Sequence, residues 1–327
     1  MDNSILKHYF QAIINSLAFL LLGLQACVTD EVYLDMPLSA ETLAVRFSSS
    51  DSGIPTRTNS SDNTWVEGDS IGIYMLLESD NNIANSIADN RAYYATTVDN
   101  NQIAFVAGDR QQIFYPSTEE RVNFIAYYPY KPTGNNPGNI CNYIYPIDVS
   151  KQQNLAAIDV LYGKSESPQM PSYSPIDLTF RHLLTKIIIY ITAEEGVVLH
   201  GMKSLINGMP LKAQLDLNTG IVAAASENKA FDIFGAGRPP VGIADNDTTF
   251  EAIVIPHTVD NSLDPHSETI QFFSSEQKQY TWIIPDMELK SGSVYIFKLR
   301  FESDGPADLQ TRSQMIITDL KQEPWTN

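Results

Sequence analysis

Apolar residues in this chain recur at every second position in short runs, broken by Asn, Asp, Gly, Ser and Pro. That alternation is the pattern of strands with one buried face. Leu43, Val45 and Phe47 alternate with Ala44, Arg46 and Ser48, which predicts a strand over 43–48 with three inward plugs. Ile71, Ile73 and Met75 keep the same period. Residues 122–128 predict a further strand, closed by Pro129. Residues 187–191 are apolar on both faces and predict a central buried strand. Leu215-Asp216-Leu217, Asn218-Thr219-Gly220 and Ile221-Val222 read as a hairpin in which Gly supplies a positive φ. Tyr295, Phe297, Leu299 and Phe301 share one face of a long late strand. Helical windows are few; residues 154–161 fit a helix or a strand equally well.

The first 26 residues break this pattern. Lys7 and His8 precede an apolar run from Ala12 to Leu24, and the segment ends in Leu24-Gln25-Ala26-Cys27. The run is shorter than the ~20 apolar residues a membrane-spanning helix needs. It has the length and flanks of a secretory leader. A small residue directly before Cys is the arrangement of a bacterial lipobox, so Cys27 is the expected lipidation site and first residue of the mature chain. Asp30 and Glu31 follow it, either as an acidic surface-export tag or as part of a solvated tether.

Composition narrows the function. The 327-residue chain carries a net charge of −18, and its leader holds one Asp against one Lys, so the mature protein keeps that charge. Nucleic acid, which demands a basic patch, is excluded as a partner. Anionic lipid is equally poorly matched, leaving acyl chains to hold the protein to a membrane. With Cys27 consumed, Cys141 is the second of only two cysteines and no intrachain disulfide is expected. A chain this long predicts two domains, with a boundary at the polar break Ala193-Glu194-Glu195-Gly196.

Candidate chemistry is sparse. Gly68-Asp69-Ser70-Ile71-Gly72 matches G-x-S-x-G, yet the following residues alternate as a strand rather than opening a helix. No His has Asp three positions before it, so a hydrolase built on Ser70 is rejected. His182, His200, His257 and His266 are scattered; His182 reads as a packing histidine and His266 as a turn residue. Acidic residues 260–264 lack EF-hand spacing. No catalytic, cofactor or metal site is expected. Asp247-Thr248-Thr249 and Asp69-Ser70-Ile71 resemble short O-glycosylation sites, a pattern that arises often by chance. Trp65, Trp282 and Trp325 are the only indoles for stacking sugars in a glycan-binding lipoprotein.

Several stretches together resemble the fimbrillin family of Bacteroidales, subunits of type V pili and related lipoproteins. They are Trp65-Val66-Glu67-Gly68-Asp69-Ser70-Ile71-Gly72-Ile73-Tyr74-Met75, Ile113-Phe114-Tyr115-Pro116 and the strand 122–130. Asp159-Val160-Leu161-Tyr162-Gly163 and residues 178–187 follow in the family's order. Residues 215–220 and 289–295 match more loosely. The resemblance implies two tandem transthyretin-like Greek-key β-sandwiches, at 58–193 and 194–327. It implies a lipidated precursor whose first strand, Leu43–Ser48, lies in a tether spanning 27–57. A protease cuts after an Arg beyond that strand; Arg57 is the expected site and Arg46 the alternative. The groove so opened accepts a strand from another subunit. The expected donor is the strand containing Met315, Ile316, Ile317 and Leu320, which reads equally as an ordinary edge strand. Other pilin subunits are the implied partners, with the outer membrane through the anchor and a host or bacterial surface ligand. A non-polymerising anchor subunit is the alternative role within the family.

Overall fold

The structure, a computed structural model, describes residues 43–49, 65–98, 103–118, 120–193, 199, 202–225, 235–236, 248–262, 268–273, 279–301 and 315–325. The N-terminal half contains β1 (Phe47–Ser49), β2 (Ser70–Leu77), β3 (Ala88–Thr97), β4 (Ile103–Ala107) and β5 (Val122–Tyr128). It continues with β6 (Ile144–Asp148), β7 (Leu161–Lys164), β8 (Ile176–Asp177) and β9 (Thr179–His182). The C-terminal half opens with β10 (Thr185–Ala193), β11 (Lys203–Asn207), β12 (Lys212–Asp216), β13 (Ile221–Ala224) and β14 (Gly235–Ala236). Then come β15 (Thr248–Val254), β16 (His257–Val259), β17 (Thr269–Phe273) and β18 (Gln279–Ile283). The last are β19 (Met287–Leu289), β20 (Ser293–Phe301) and β21 (Met315–Pro324). Helical structure among the described residues is confined to 3-10 turns at Ile83–Asn85 and Leu155–Ala157, so the protein is all-β. Residues 154–161 form neither expected element: the turn sits in the middle and β7 begins only at Leu161.

Eight strands of the N-terminal half lie in the order β8-β1-β4-β3-β2-β5-β7-β9. Residues 176–182 form one stretch whose first part pairs with β1 and whose second part pairs with β7. The sheet therefore returns toward itself: β8 and β9, its two ends, are successive parts of one stretch, and the six strands between them each have two neighbours. Its interior is a core of Ile71, Ile73, Met75, Tyr93, Phe105, Phe124, Phe180 and others, with Trp65 packed edge-on against Phe105, Tyr128 and Phe180. Each such side chain stabilises the fold by about 1.5–3 kcal/mol through burial.

The C-terminal half is a sandwich of two four-stranded sheets, β15-β10-β20-β21 and β14-β11-β17-β18. Ile187, Ile189 and Ile191 face Phe272, Tyr280 and Trp282 within a second core. Tyr295, Phe297, Leu299 and Phe301 line the same core from one face of β20. Strand β10 is central, between β15 and β20, but Ile188 and Tyr190 on its other face are only half-buried. Strands β2 and β5 are instead buried on both faces: Tyr74 and Leu76 of β2, with Ile125 and Tyr127 of β5, point away from the first core into a third.

That third core joins the halves. Strand β6 pairs with β12, which pairs with β13, so a three-stranded sheet carries chain from both sides of the expected boundary. Tyr74, Ile125 and Tyr127 meet Tyr145, Ile147, Leu215, Ile253 and Ile255 there. The chain leaves the first sheet at Leu183-Leu184, and β10 already belongs to the C-terminal sandwich. The polar break at 193–196 thus follows the first strand of that sandwich rather than preceding it. A strong apolar strand pulls the sequence-based boundary too late when no polar linker precedes it.

Two glycines show how tightly these layers fit. A Cβ at Gly72 would lie 2.2 Å from the Tyr127 ring, which is buried and fixed by hydrogen bonds to Asn90 and Lys131. At the β12–β13 turn, Gly220 has φ +73° and Asp216 accepts from the Asn218 backbone and the Thr219 hydroxyl. Leu215 pairs with Val222 across that hairpin, and Leu217 falls in the turn rather than in the strand.

One buried ion pair makes stability depend on pH. His257 Nδ1 lies 2.8 Å from the Ile255 carbonyl, and Nε2 lies 2.8 Å from Glu268. Both partners only accept when Glu268 is ionised, so the geometry suits the doubly protonated ring. Burial lowers the His257 pKa, but the Glu268 carboxylate and Ile255 carbonyl outweigh it and raise the pKa above the ordinary value. A raised folded-state pKa gives stability that is full below the unfolded value and is lost as pH rises through the folded one. Urea midpoints of the wild type should therefore fall between about pH 5.5 and about pH 8.5, on either side of the histidine range. His257→Gln should reduce that fall; an equal fall in the variant would assign the dependence elsewhere.

Candidate functional site

The first strand sits in a slot. On one side β1 runs antiparallel to β4, with Phe47 opposite Phe105 and Ser49 opposite Ile103. Upstream, the Val45 N–H donates to Ile113 O at 2.9 Å, and the Tyr115 N–H donates to Leu43 O at 3.0 Å. On the other side β1 runs parallel to β8, and Ile176 and Leu178 donate to Arg46 O and Ser48 O at 2.8 and 2.9 Å. The Gln112 amide adds a bond to Val45 O at 2.9 Å. Extended pairing thus begins at Leu43, and the strand's backbone is engaged along both edges.

Its side chains alternate as a strand's must. Leu43, Val45 and Phe47 are buried in the first core, Val45 and Phe47 at 1% exposure. Phe47 packs edge-on against Tyr93 and Phe124, each at 5.1 Å between ring centroids. Arg46 points outward, and its guanidinium donates to the Tyr173 carbonyl. The Arg46 carbonyl is held in the ladder to Ile176, so a protease meets paired backbone there. Cys27 and Arg57, with the leader and the acidic pair Asp30–Glu31, lie outside the described residues.

The C-terminal strand has the opposite character. Among the described residues, strand β21 is the edge of its sheet, paired only with β20. Met315, Ile317 and Leu320 stand opposite Phe301, Leu299 and Phe297, whose side chains fill the second core. Directly opposed residues share a face, so these three are on the core side. Met315 packs against the core, yet Ile317 and Leu320 remain 38% and 43% exposed. Ile316, on the other face, is 39% exposed. A bulge between Lys298 and Leu299 shifts the register midway.

The sequence profile of the fimbrillin-like family matches residues 56–320. The chain belongs to the fimbrillin-like family. It is 35% identical over 144 residues to a protein of Bacteroides uniformis named "Putative fimbrium subunit Fim1C", a match covering 44% of each chain. The matched segment thus spans less than half of that curated relative. Among solved structures, a "putative cell adhesion protein" of Bacteroides uniformis shares the fold with a TM-score of 0.63. It is 22% identical and covers 87% of this chain and 98% of its own. A second, from Bacteroides ovatus, gives a TM-score of 0.58 at 21% identity, covering 80% of this chain and 89% of its own.

Other residues singled out in this fimbrillin-like chain have structural surroundings. Ser70 opens β2 after a turn in which Gly68 has φ +87° and Asp69 accepts from the Val66 N–H at 2.8 Å. All three tryptophans are buried, so none forms an exposed sugar-stacking row. Cys141 is exposed. No metal-holding group of three or more His, Cys, Asp or Glu occurs among the described residues. The displaced pKa values trace mainly to burial: desolvation raises Tyr127 and Tyr145, and lowers Lys131 to about 8 beneath the opposing pull of Asp148.

Sequence reasoning missed a contact between distant residues. His182 Nδ1 is 3.0 Å from Asp159, both fully buried, and the Trp325 indole stacks on the His182 ring at 4.0 Å and 5°. No short-range spacing links positions 159, 182 and 325; the β7–β9 pairing brings the first two close, and the docking of β21 on β20 brings Trp325 to them.

The slot's energetics are testable in the intact chain. Phe47→Ala should destabilise by about 3–5 kcal/mol, as expected for deleting a buried aromatic ring. Arg46→Ala should cost well under about 1 kcal/mol because the side chain is exposed. Equal denaturation midpoints for the two variants would contradict this packing.

Proposed function

We propose that this protein is a structural subunit of a cell-surface fimbria, exported as a lipoprotein and assembled by strand exchange. One observation carries the reading: the first strand fills a two-sided slot from which three side chains reach the core, upstream of the Arg57 segment. Cleavage after Arg57 would remove residues 27–57, taking the Cys27 anchor and the Leu43, Val45 and Phe47 plugs together. Backbone groups on β4 and β8 would be left unpaired, with open sockets beneath them. Such an edge is a template for another chain, and insertion of an extended segment satisfies backbone and sockets at once.

Strand β21 suits the donor role. Met315 and Ile317 repeat the two-residue spacing of the plugs, and the apolar side chains of β21 are largely unspent in its own sandwich. Asp30 and Glu31 would favour display on the outer leaflet before cleavage. In this reading the chain is not an enzyme; its partners are other subunits, and the outer membrane until release. The burial of every indole disfavours the glycan-binding alternative.

Intact mass and N-terminal sequencing of protein taken from the cell surface test the processing step. Wild type should begin at Thr58 and form heat-stable multimers, whereas Arg57→Ala should stay acylated at Cys27 and monomeric. A shortened, polymerised Arg57→Ala product would show that Arg57 is not the cleavage site. A wild type that keeps its anchor would instead mark a non-polymerising anchor subunit.

A further inference from the structure

Strand β21 is nearly all exposed, yet the residue that follows it is not. All ten of its positions are exposed or half-exposed, whereas Trp325, directly after its last residue Pro324, is 9% exposed. Its N–H donates to Gly292 O at 2.7 Å, in the turn just before β20. Its indole lies flat on His182 within the third core, which joins the halves of the protein. His182 is held from its other side by Asp159, 3.0 Å from Nδ1, and its Nε2 is buried with no hydrogen-bond partner. The stacking face is thus fixed by a buried carboxylate on a neighbouring turn. At positions 316–323 the strand is held by its ladder to β20 and by exposed contacts such as the Lys298–Asp319 pair, contacts that contribute little.

We propose that Trp325 is a latch: its insertion against His182 holds β21 docked on its own sandwich and keeps the strand from leaving for another chain. This rests on the donor reading of β21, but the latch itself is a property of the single subunit. An edge strand with one ladder opens locally at little cost, and its open population sets how often it can be captured. A buried indole at one end couples that opening to extraction of a large apolar surface. Opening from the Met315 end alone leaves the strand pinned at Trp325, whereas opening from the Trp325 end frees it. Asp159 and His182 are positioning residues in this device, because they orient the surface that receives the ring.

Hydrogen exchange read by mass spectrometry on the full chain tests the latch. Trp325→Ala should speed exchange across residues 315–324 by about 100-fold, the scale of losing a buried Trp. Exchange in the central strand 185–191 should stay unchanged, and Trp325→Phe should give a smaller effect. If the Ala variant loses protection at 185–191 as well, the Phe variant is the one read. Unchanged protection at 315–324 in a folded variant would overturn the latch. Mixing each variant with subunit beginning at Thr58 separates the two ideas. Faster exchange with faster formation of heat-stable multimers supports both. Faster exchange with no change in multimers keeps the latch and sinks the donor reading.

Discussion

A strand in the middle of a sheet satisfies backbone groups on two neighbours at once, and the N-terminal half of this protein depends on one such strand. Residues 43–49 close the sheet between β4 and β8 while sending Leu43, Val45 and Phe47 into the core. Their contribution is therefore double: ladder hydrogen bonds on both edges and aromatic packing beneath. Taking the segment away would leave two unpaired edges rather than one. Buried backbone groups without partners are costly, so the opened slot strongly favours any extended chain that fits.

The rest of the molecule is built to keep that slot in shape. Strand β2 is buried on both faces, one toward the first core and one toward the third. Gly72 lets Tyr127 lie against it, and Tyr127 in turn anchors to Asn90 and the Lys131 carbonyl. The third core then ties this framework to β12 and β15. An interior packed in this way transmits strain rather than absorbing it. In the proposed exchange the slot would serve as a rigid acceptor, while β21 lies at the edge of its sheet with its positions 315–324 exposed or half-exposed.

Alternation made the strands legible. The plugs of β1, the face of β20 and the hairpin around Gly220 all follow from local period and turn chemistry. The burial of β10 was overestimated because Ile188 is apolar yet only half-covered, and composition cannot say whether a facing layer exists. The junction at 183–184 was invisible for a related reason: Leu183 and Leu184 are buried in the shared core, so no polar linker marks the passage. Asp159, His182 and Trp325 belong to three separated segments, which only the β7–β9 and β20–β21 pairings bring together. The resemblance organised the chain as a fimbrial subunit, but the spatial relation between slot and edge strand comes from topology.

The most direct test asks what fills the slot in the assembled fimbria. Ala104 lies opposite Ser48 on β4 and is half-buried, so a photo-crosslinking side chain placed there would touch the occupant. In the unprocessed subunit it should capture residues 43–49 of its own chain. In assembled fimbriae it should capture a peptide from 315–324 of a different subunit. Capture of residues 43–49 in the assembled form would contradict strand exchange.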